Sequence, residues 1–122
     1  MREILFRGKG NKKYNDGSWQ YGYLKKDSDG DFQICGSCWS RTVITETVGQ
    51  YTGLADKNGT KIFEGDIVLL KGDEEPYTVE FDECCFQVYD DSVCYTMDNF
   101  YDHDIEVIGN IHDNPELLEV SQ

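Results

Sequence analysis

The chain has 122 residues, with eleven Lys and Arg against twenty-four Asp and Glu, a net charge of −13. That is the length of one domain, and 39% hydrophobic with 13% aromatic residues suffices for a core, which excludes wholesale disorder. No apolar run approaches the roughly 20 residues of a membrane span and the opening residues lack a signal peptide's apolar stretch, so a cytoplasmic location is expected.

Residue usage favours strands. A single alanine, Ala55, stands against eight Val, eight Ile, seven Thr, eight Tyr and six Phe. Branched and aromatic side chains fit a pleated, half-buried surface, whereas a helical domain draws on Ala, Leu and Glu. Twelve glycines punctuate short apolar segments, the rhythm of an all-β barrel or sandwich.

In chain order, residues 4–7 read as a first strand and 9–17 as a polar loop. Residues 19–24 and 32–35 are two strands joined across Asp27-Ser28-Asp29-Gly30, a hairpin sequence. The β-branched run 42–47 predicts a further strand. Residues 48–54 and 61–63 flank Asp56-Lys57-Asn58-Gly59, where Asn-Gly is a strong short-hairpin signal. Glu64-Gly65-Asp66 turns the chain into a buried strand over 67–70. Residues 77–81 alternate, 86–89 and 93–96 follow as strands, and 98–104 form a polar loop. The run 105–111 is apolar on both faces and is expected centrally in a sheet. Asn114-Pro115-Glu116 has the order of an N-cap, a first-turn proline and an acid, so one short C-terminal helix closes the chain. The expected fold is all-β: small SH3-like or partly open barrels of short antiparallel strands, by analogy with Glu-Gly-Asp turns in such barrels. One domain spans 1–122, with two β-rich lobes, about 1–63 and 64–122, as its finer division.

Charge is unevenly spread. Residues 1–61 hold ten basic and seven acidic side chains, a balance of +3, whereas 62–122 hold only Lys71 against seventeen acids, a balance of −16. Acidity of this kind argues against nonspecific binding to nucleic acid or anionic membranes, which depends on clustered Lys and Arg. Neither is expected as a direct partner. The simplest account of the acidity is solubility.

Three ordered blocks carry a family resemblance. Val48-Gly49-Gln50-Tyr51-Thr52-Gly53-Leu54, Asp56-Lys57-Asn58-Gly59 and Ile62-Phe63-Glu64-Gly65-Asp66-Ile67-Val68 form the middle one. Arg2-Glu3-Ile4-Leu5-Phe6-Arg7 opens the chain, and Val107-Ile108-Gly109-Asn110-Ile111-His112-Asp113-Asn114-Pro115-Glu116-Leu117-Leu118 closes it. Together they cover about half the sequence, and the chain resembles the YopX-like family of phage and prophage proteins. The resemblance implies a β-rich fold, a phage or prophage origin and a tendency to form homo-oligomers. It brings no biochemical activity to carry over. Residues 9–41 and 71–104 lie outside the pattern. Physically, the middle block reads as a hairpin and a turn into a strand; its functional reading is a binding groove lined by Gln50, Tyr51 and Asp66.

Five cysteines are present, an odd count that suits a reducing compartment. Cys35-Gly36-Ser37-Cys38 has the two-residue gap that lets two thiolates reach one zinc ion. The remaining ligands would have to come from Cys84, Cys85, Cys94, His103 or His112. No βαβ pattern surrounds the motif, so a thioredoxin-type role is disfavoured; reduced structural thiols, zinc and a disulfide stay open, and no cofactor is required. Asp27-Ser28-Asp29-Gly30-Asp31 lacks the Gly and Glu spacing of an EF-hand and reads as a turn. His103 and His112 sit beside aspartates, but no nucleophile elbow, P-loop or dinucleotide fingerprint accompanies them.

Three functions follow as expectations. The first is a non-catalytic, oligomeric binding or regulatory module acting on a host or phage protein. The second is an acidic nucleic-acid mimic, with acids at 73–75, 82–83, 90–91 and 98–106 occupying a host DNA-binding protein. The third is a zinc-containing module using Cys35 and Cys38, or a hydrolase or zinc-dependent enzyme built on the cysteines and histidines.

Overall fold

The computed structural model describes residues 4–13, 17–71, 75–82, 85–89, 94–96 and 105–118. Eleven strands run in the order β1 (Phe6–Lys9), β2 (Trp19–Lys26), β3 (Phe32–Cys35), β4 (Ser40–Thr42), β5 (Gly49–Ala55), β6 (Lys61–Phe63), β7 (Asp66–Leu70), β8 (Tyr77–Asp82), β9 (Cys85–Tyr89), β10 (Cys94–Thr96) and β11 (Ile105–Asn110). They form two sheets, ordered β4-β3-β2-β1-β5-β6 and β10-β9-β8-β7-β11. The all-β expectation holds. Neither sheet closes into a barrel among the described residues: the Glu64-Gly65 turn carries the chain from the end strand of one sheet, β6, into the other, at β7, instead of bending one sheet round on itself.

Two local expectations are corrected. The run 42–47 is not one strand: β4 ends at Thr42, and Thr45–Thr47 form a 3-10 turn. Thr47 explains why. Its hydroxyl donates to Ile44 O at 2.6 Å and accepts from Lys9 N at 2.8 Å, so this β-branched side chain closes a turn instead of joining a ladder. The segment read as central, β11, ends its sheet and pairs only with β7. The expected short terminal helix is present as a single 3-10 turn, Pro115–Leu118. Asn114 Oδ1 faces back to accept from Asn110 N at 3.2 Å, where a helix N-cap would accept from within its own first turn. Among the described residues no helix is long and apolar enough to cross a membrane. The loop expected over 98–104 lies outside the described residues.

The chain divides into two compact units, Met1–Tyr51 and Thr52–Gln122. In the second, Ile62, Val68, Leu70, Tyr77, Val79, Phe86, Val88 and Ile105 form one buried cluster, with Leu54 and Val107 packed against it. Each such side chain removed from water contributes about 1.5–3 kcal/mol as an upper estimate. The two-residue alternation of β8 and β9 places Val79 opposite Val88 and Phe81 opposite Phe86, the latter pair meeting edge to face at 4.8 Å.

The first unit has a smaller aliphatic centre, Ile34 and Val43. Two glycines set its close approaches. A Cβ at Gly8 would lie 2.8 Å from the Val43 side chain, and one at Gly22 only 2.3 Å from Cys35 O. The face bearing Gly8, Gly22 and Ile34 is closely packed at these positions, and the opposite face is buried at Arg7 and Tyr51 and exposed at Tyr21 and Tyr23. The other face carries Trp19, Tyr21 and Tyr23 of β2, opposite Lys9, Arg7 and Cys35 respectively. Arg7 is buried, with its guanidinium 4.8 Å from the centre of the Trp19 ring.

Candidate functional site

The residues that stood out in the sequence do three kinds of work. Asp56 heads the β5–β6 hairpin and is 3% exposed. Its Oδ1 accepts from Asn58 N and Thr60 N, both at 2.9 Å, and its backbone N–H donates to Thr60 O at 2.8 Å. Gly59, at φ 83°, supplies the left-handed residue that the loop needs. The second oxygen, Oδ2, accepts from Val107 N at 2.9 Å, while Lys57 N donates to Ile105 O at 3.0 Å. The hairpin tip thereby occupies the outer edge of β11. This is why a strand apolar on both faces tolerates an edge position: two of its outward backbone groups, Val107 N–H and Ile105 O, are already paired. Burial alone would raise the Asp56 pKa. The N–H groups of Val107, Thr60 and Asn58 and the nearby Lys57 charge outweigh burial and hold it below the usual 3.8.

Asp66 is 2% exposed, and its Oδ2 accepts from Phe63 N at 2.7 Å across the Glu64-Gly65 turn. Gly65 has φ 92°; its N–H donates to Val79 O at 2.8 Å and its carbonyl accepts from Ile111 N at 2.9 Å. The closing motif is wired in the same manner, since Asn110 Oδ1 accepts from His112 N and Asp113 N at 3.0 and 2.9 Å. The aspartates and asparagines of the middle and closing blocks thus act largely as acceptors for backbone N–H groups.

Gln50 and Tyr51 lie on β5 in the first unit, where Gln50 pairs with Phe6 and Tyr51 N donates to Leu5 O. As neighbours on one strand they point to opposite faces, and Tyr51 is buried. Asp66 belongs to the second unit.

Cys35 ends β3 and is half-buried, and Cys38 is exposed in the turn to β4; both are free thiols. Gly36 N–H donates to Trp39 O at 2.9 Å and closes that turn. Among the described residues, no three His, Cys, Asp or Glu side chains come together as a metal-binding group. Cys84 and His103 lie outside the described residues, as do the side chains of Cys85 and Cys94. Most of the acids grouped at 73–75, 82–83, 90–91 and 98–106 fall outside them too. The exception that matters for packing is Glu106, on β11, whose Oε1 lies 3.4 Å from Lys57 Nζ in an exposed ion pair of small energetic weight.

Sequence reasoning passed over the exposed tyrosines of β2. Tyr21 is 49% exposed and Tyr23 68%. The alternation Trp19-x-Tyr21-x-Tyr23-x-Lys25 was the available signal. The sequence leaves open which of these positions is covered, and that is answered only once register is known.

The sequence profile of the family described as YopX protein matches residues 6–119. No curated protein matches the sequence. Among solved structures, the chain is similar to protein EF1440 from Enterococcus faecalis, with a TM-score of 0.63 and 28% identity over 98% of this chain and 100% of that one. It is also similar in fold to protein yopX from Bacillus subtilis, with a TM-score of 0.60 and 21% identity over 100% of both chains.

Proposed function

This chain belongs to the YopX family, and on that premise we propose that it is a phage- or prophage-encoded, non-catalytic binding or regulatory module. It forms a homo-oligomer and acts in the cytoplasm of the bacterial host through protein contacts. The observation that supports this reading is the employment of the family-like polar residues. Asp56, Asp66 and Asn110 direct side-chain oxygens at backbone N–H groups of their own turns, and Asp56 also reaches β11. Carboxylates held in this way define loop shape and strand edges, the requirements of a surface that must be presented rigidly.

Light scattering of the purified chain at micromolar concentration tests the assembly, for which a single symmetric oligomer is expected. Immobilised protein should retain a specific host or phage protein from a bacterial lysate, identified by mass spectrometry. A strict monomer that retains nothing above a scrambled-surface control would overturn the reading.

A further inference from the structure

We propose that the β3–β4 turn is half of a zinc site, in which Cys35 and Cys38 bind one zinc ion together with the same two residues of a second copy of the chain. The turn is tight. Cys35 ends β3 opposite Ser40 of β4, and Gly36 N–H donates to Trp39 O at 2.9 Å, leaving Ser37 and Cys38 as the loop between. A Cβ at Gly36 would run into the Trp39 indole, so the bare backbone there lets that ring lie across the base of the turn. Arg41 adds a second layer, its guanidinium 5.6 Å from the centre of the Trp39 ring. Ser40 shares the face of Cys35, and alternation turns Trp39 to the other face, away from that thiol. On the thiol's own face the cross-strand neighbours are open, Tyr23 of β2 at 68% exposure and Ser40 also exposed. Cys38 is exposed as well, and both thiols are free.

The donors select the metal and their number selects the partner. Thiolate sulfur suits zinc and not calcium or magnesium, which take oxygen. A structural zinc ion takes four ligands in a tetrahedron, with sulfur about 2.3 Å from the metal, and two cysteines separated by two residues on a closed turn are half of that set. Among the described residues no third His, Cys, Asp or Glu joins the pair. A two-fold axis through the metal supplies the other half, because each copy then offers the same two thiolates. The turn leads into β4, an end strand of the six-stranded sheet, and residues 37–41 are exposed without interruption, so a second copy has access to it. Four thiolates around a divalent ion leave two negative charges. The segment 32–45 contains Arg41 and no carboxylate, which suits a core of that sign. Binding displaces one thiol proton per cysteine, so affinity rises with pH. The proposal rests on the homo-oligomer proposed above only in requiring two copies, and it names the atoms that join them.

The test loads the reduced full chain with zinc, or with cobalt as its spectroscopic stand-in, at about 0.15 M salt, where like charge on the two copies is largely screened. About 0.5 metal ion per chain should remain after desalting, and cobalt should show the charge-transfer and intense visible bands of a tetrahedral tetrathiolate. Cys35→Ser and Cys38→Ser should each abolish that spectrum and weaken zinc binding by more than the roughly 10- to 100-fold typical of losing an outer-shell partner. Cys84→Ser, Cys85→Ser and Cys94→Ser should each keep both. Circular dichroism establishes that every variant is folded. Alkylation of the parent chain, mapped by mass spectrometry, needs no variant: zinc should protect Cys35 and Cys38. One metal ion per chain, a tetrathiolate spectrum that survives Cys35→Ser, or equal alkylation of Cys35 and Cys38 with and without zinc overturns the proposal. Light scattering with chelator and with zinc separates this site from the assembly itself. A chain that is oligomeric without metal and binds none at this turn keeps the assembly and overturns the zinc site. A chain whose mass doubles only when zinc is added supports the zinc site and overturns a metal-free assembly.

Discussion

Two hairpin turns in this protein have the same internal wiring and different fates. In the β2–β3 turn, Asp27 Oδ1 accepts from Asp29 N and Asp31 N at 2.9 and 3.0 Å, Asp27 N donates to Asp31 O, and Gly30 sits at φ 88°. In the β5–β6 turn, Asp56 makes the corresponding bonds to Asn58 and Thr60, and Gly59 sits at φ 83°. The difference lies in the other carboxylate oxygen. That of Asp56 reaches a residue 51 positions away, Val107, while the Asp27 turn joins two neighbouring strands and serves only them. One five-residue device can therefore be a local corner or a long-range clamp, depending on what lies beside its tip.

The largest expected effect separates the two aspartates. Asp56→Ala leaves the N–H of Val107 without its acceptor as well as opening the turn, and should cost about 2–4 kcal/mol in denaturant unfolding. Asp27→Ala loses only exposed turn bonds and should cost about 0.5–1 kcal/mol. Equal losses at the two sites would break the comparison. Hydrogen exchange sharpens it, because the Val107 amide should lose protection in Asp56→Ala and keep it in Asp27→Ala.

Acid should find the clamp. The folded pKa of Asp56 is lowered, so its stabilisation is fully present above the ordinary carboxylate value of 3.8 and is lost as pH falls through the folded value. Asp56→Asn should melt lower than the parent at neutral pH. The two melting curves should converge as pH is taken from about 5 towards 2; a gap independent of pH would show that the charge of Asp56 is not what holds β11.

The glycines should behave alike. Gly30→Ala and Gly59→Ala each force a side chain into the left-handed region, at about 1–2 kcal/mol. A Cβ at Gly59 meets nothing within 4 Å, so strain in the backbone is the whole effect there. The smallest change is expected from Lys57→Ala, which removes the exposed pair with Glu106 and should shift stability by under about 0.5 kcal/mol, less at high salt.

Much of this architecture was legible in the chain. Period-two alternation marked β8, and Asp-x-Asp-Gly and Asp-x-Asn-Gly marked the two corners, because turn chemistry and pleat geometry are local. Where the reading failed, a distant partner had intervened. Thr47 left the strand pattern because its hydroxyl found Lys9 N, 38 residues earlier. The apolar run of β11 was placed at the centre of a sheet because hydropathy cannot report that a hairpin tip covers an edge. Gln50 and Tyr51 are adjacent on one strand, and alternation turns them to opposite faces once that strand is known.

By itself, the sequence determined that this is a β protein of short strands, where its corners fall, and that its acids gather in the second half. Those are consequences of side-chain shape, glycine torsions and composition, each settled within a few residues. Tertiary structure alone decided which of two like turns became a clamp, which strand received it, and that Tyr21 and Tyr23 face outward. Such choices depend on which backbone N–H lies within 3 Å of a carboxylate and which face of a sheet is already covered, and neither distance is written in the order of residues.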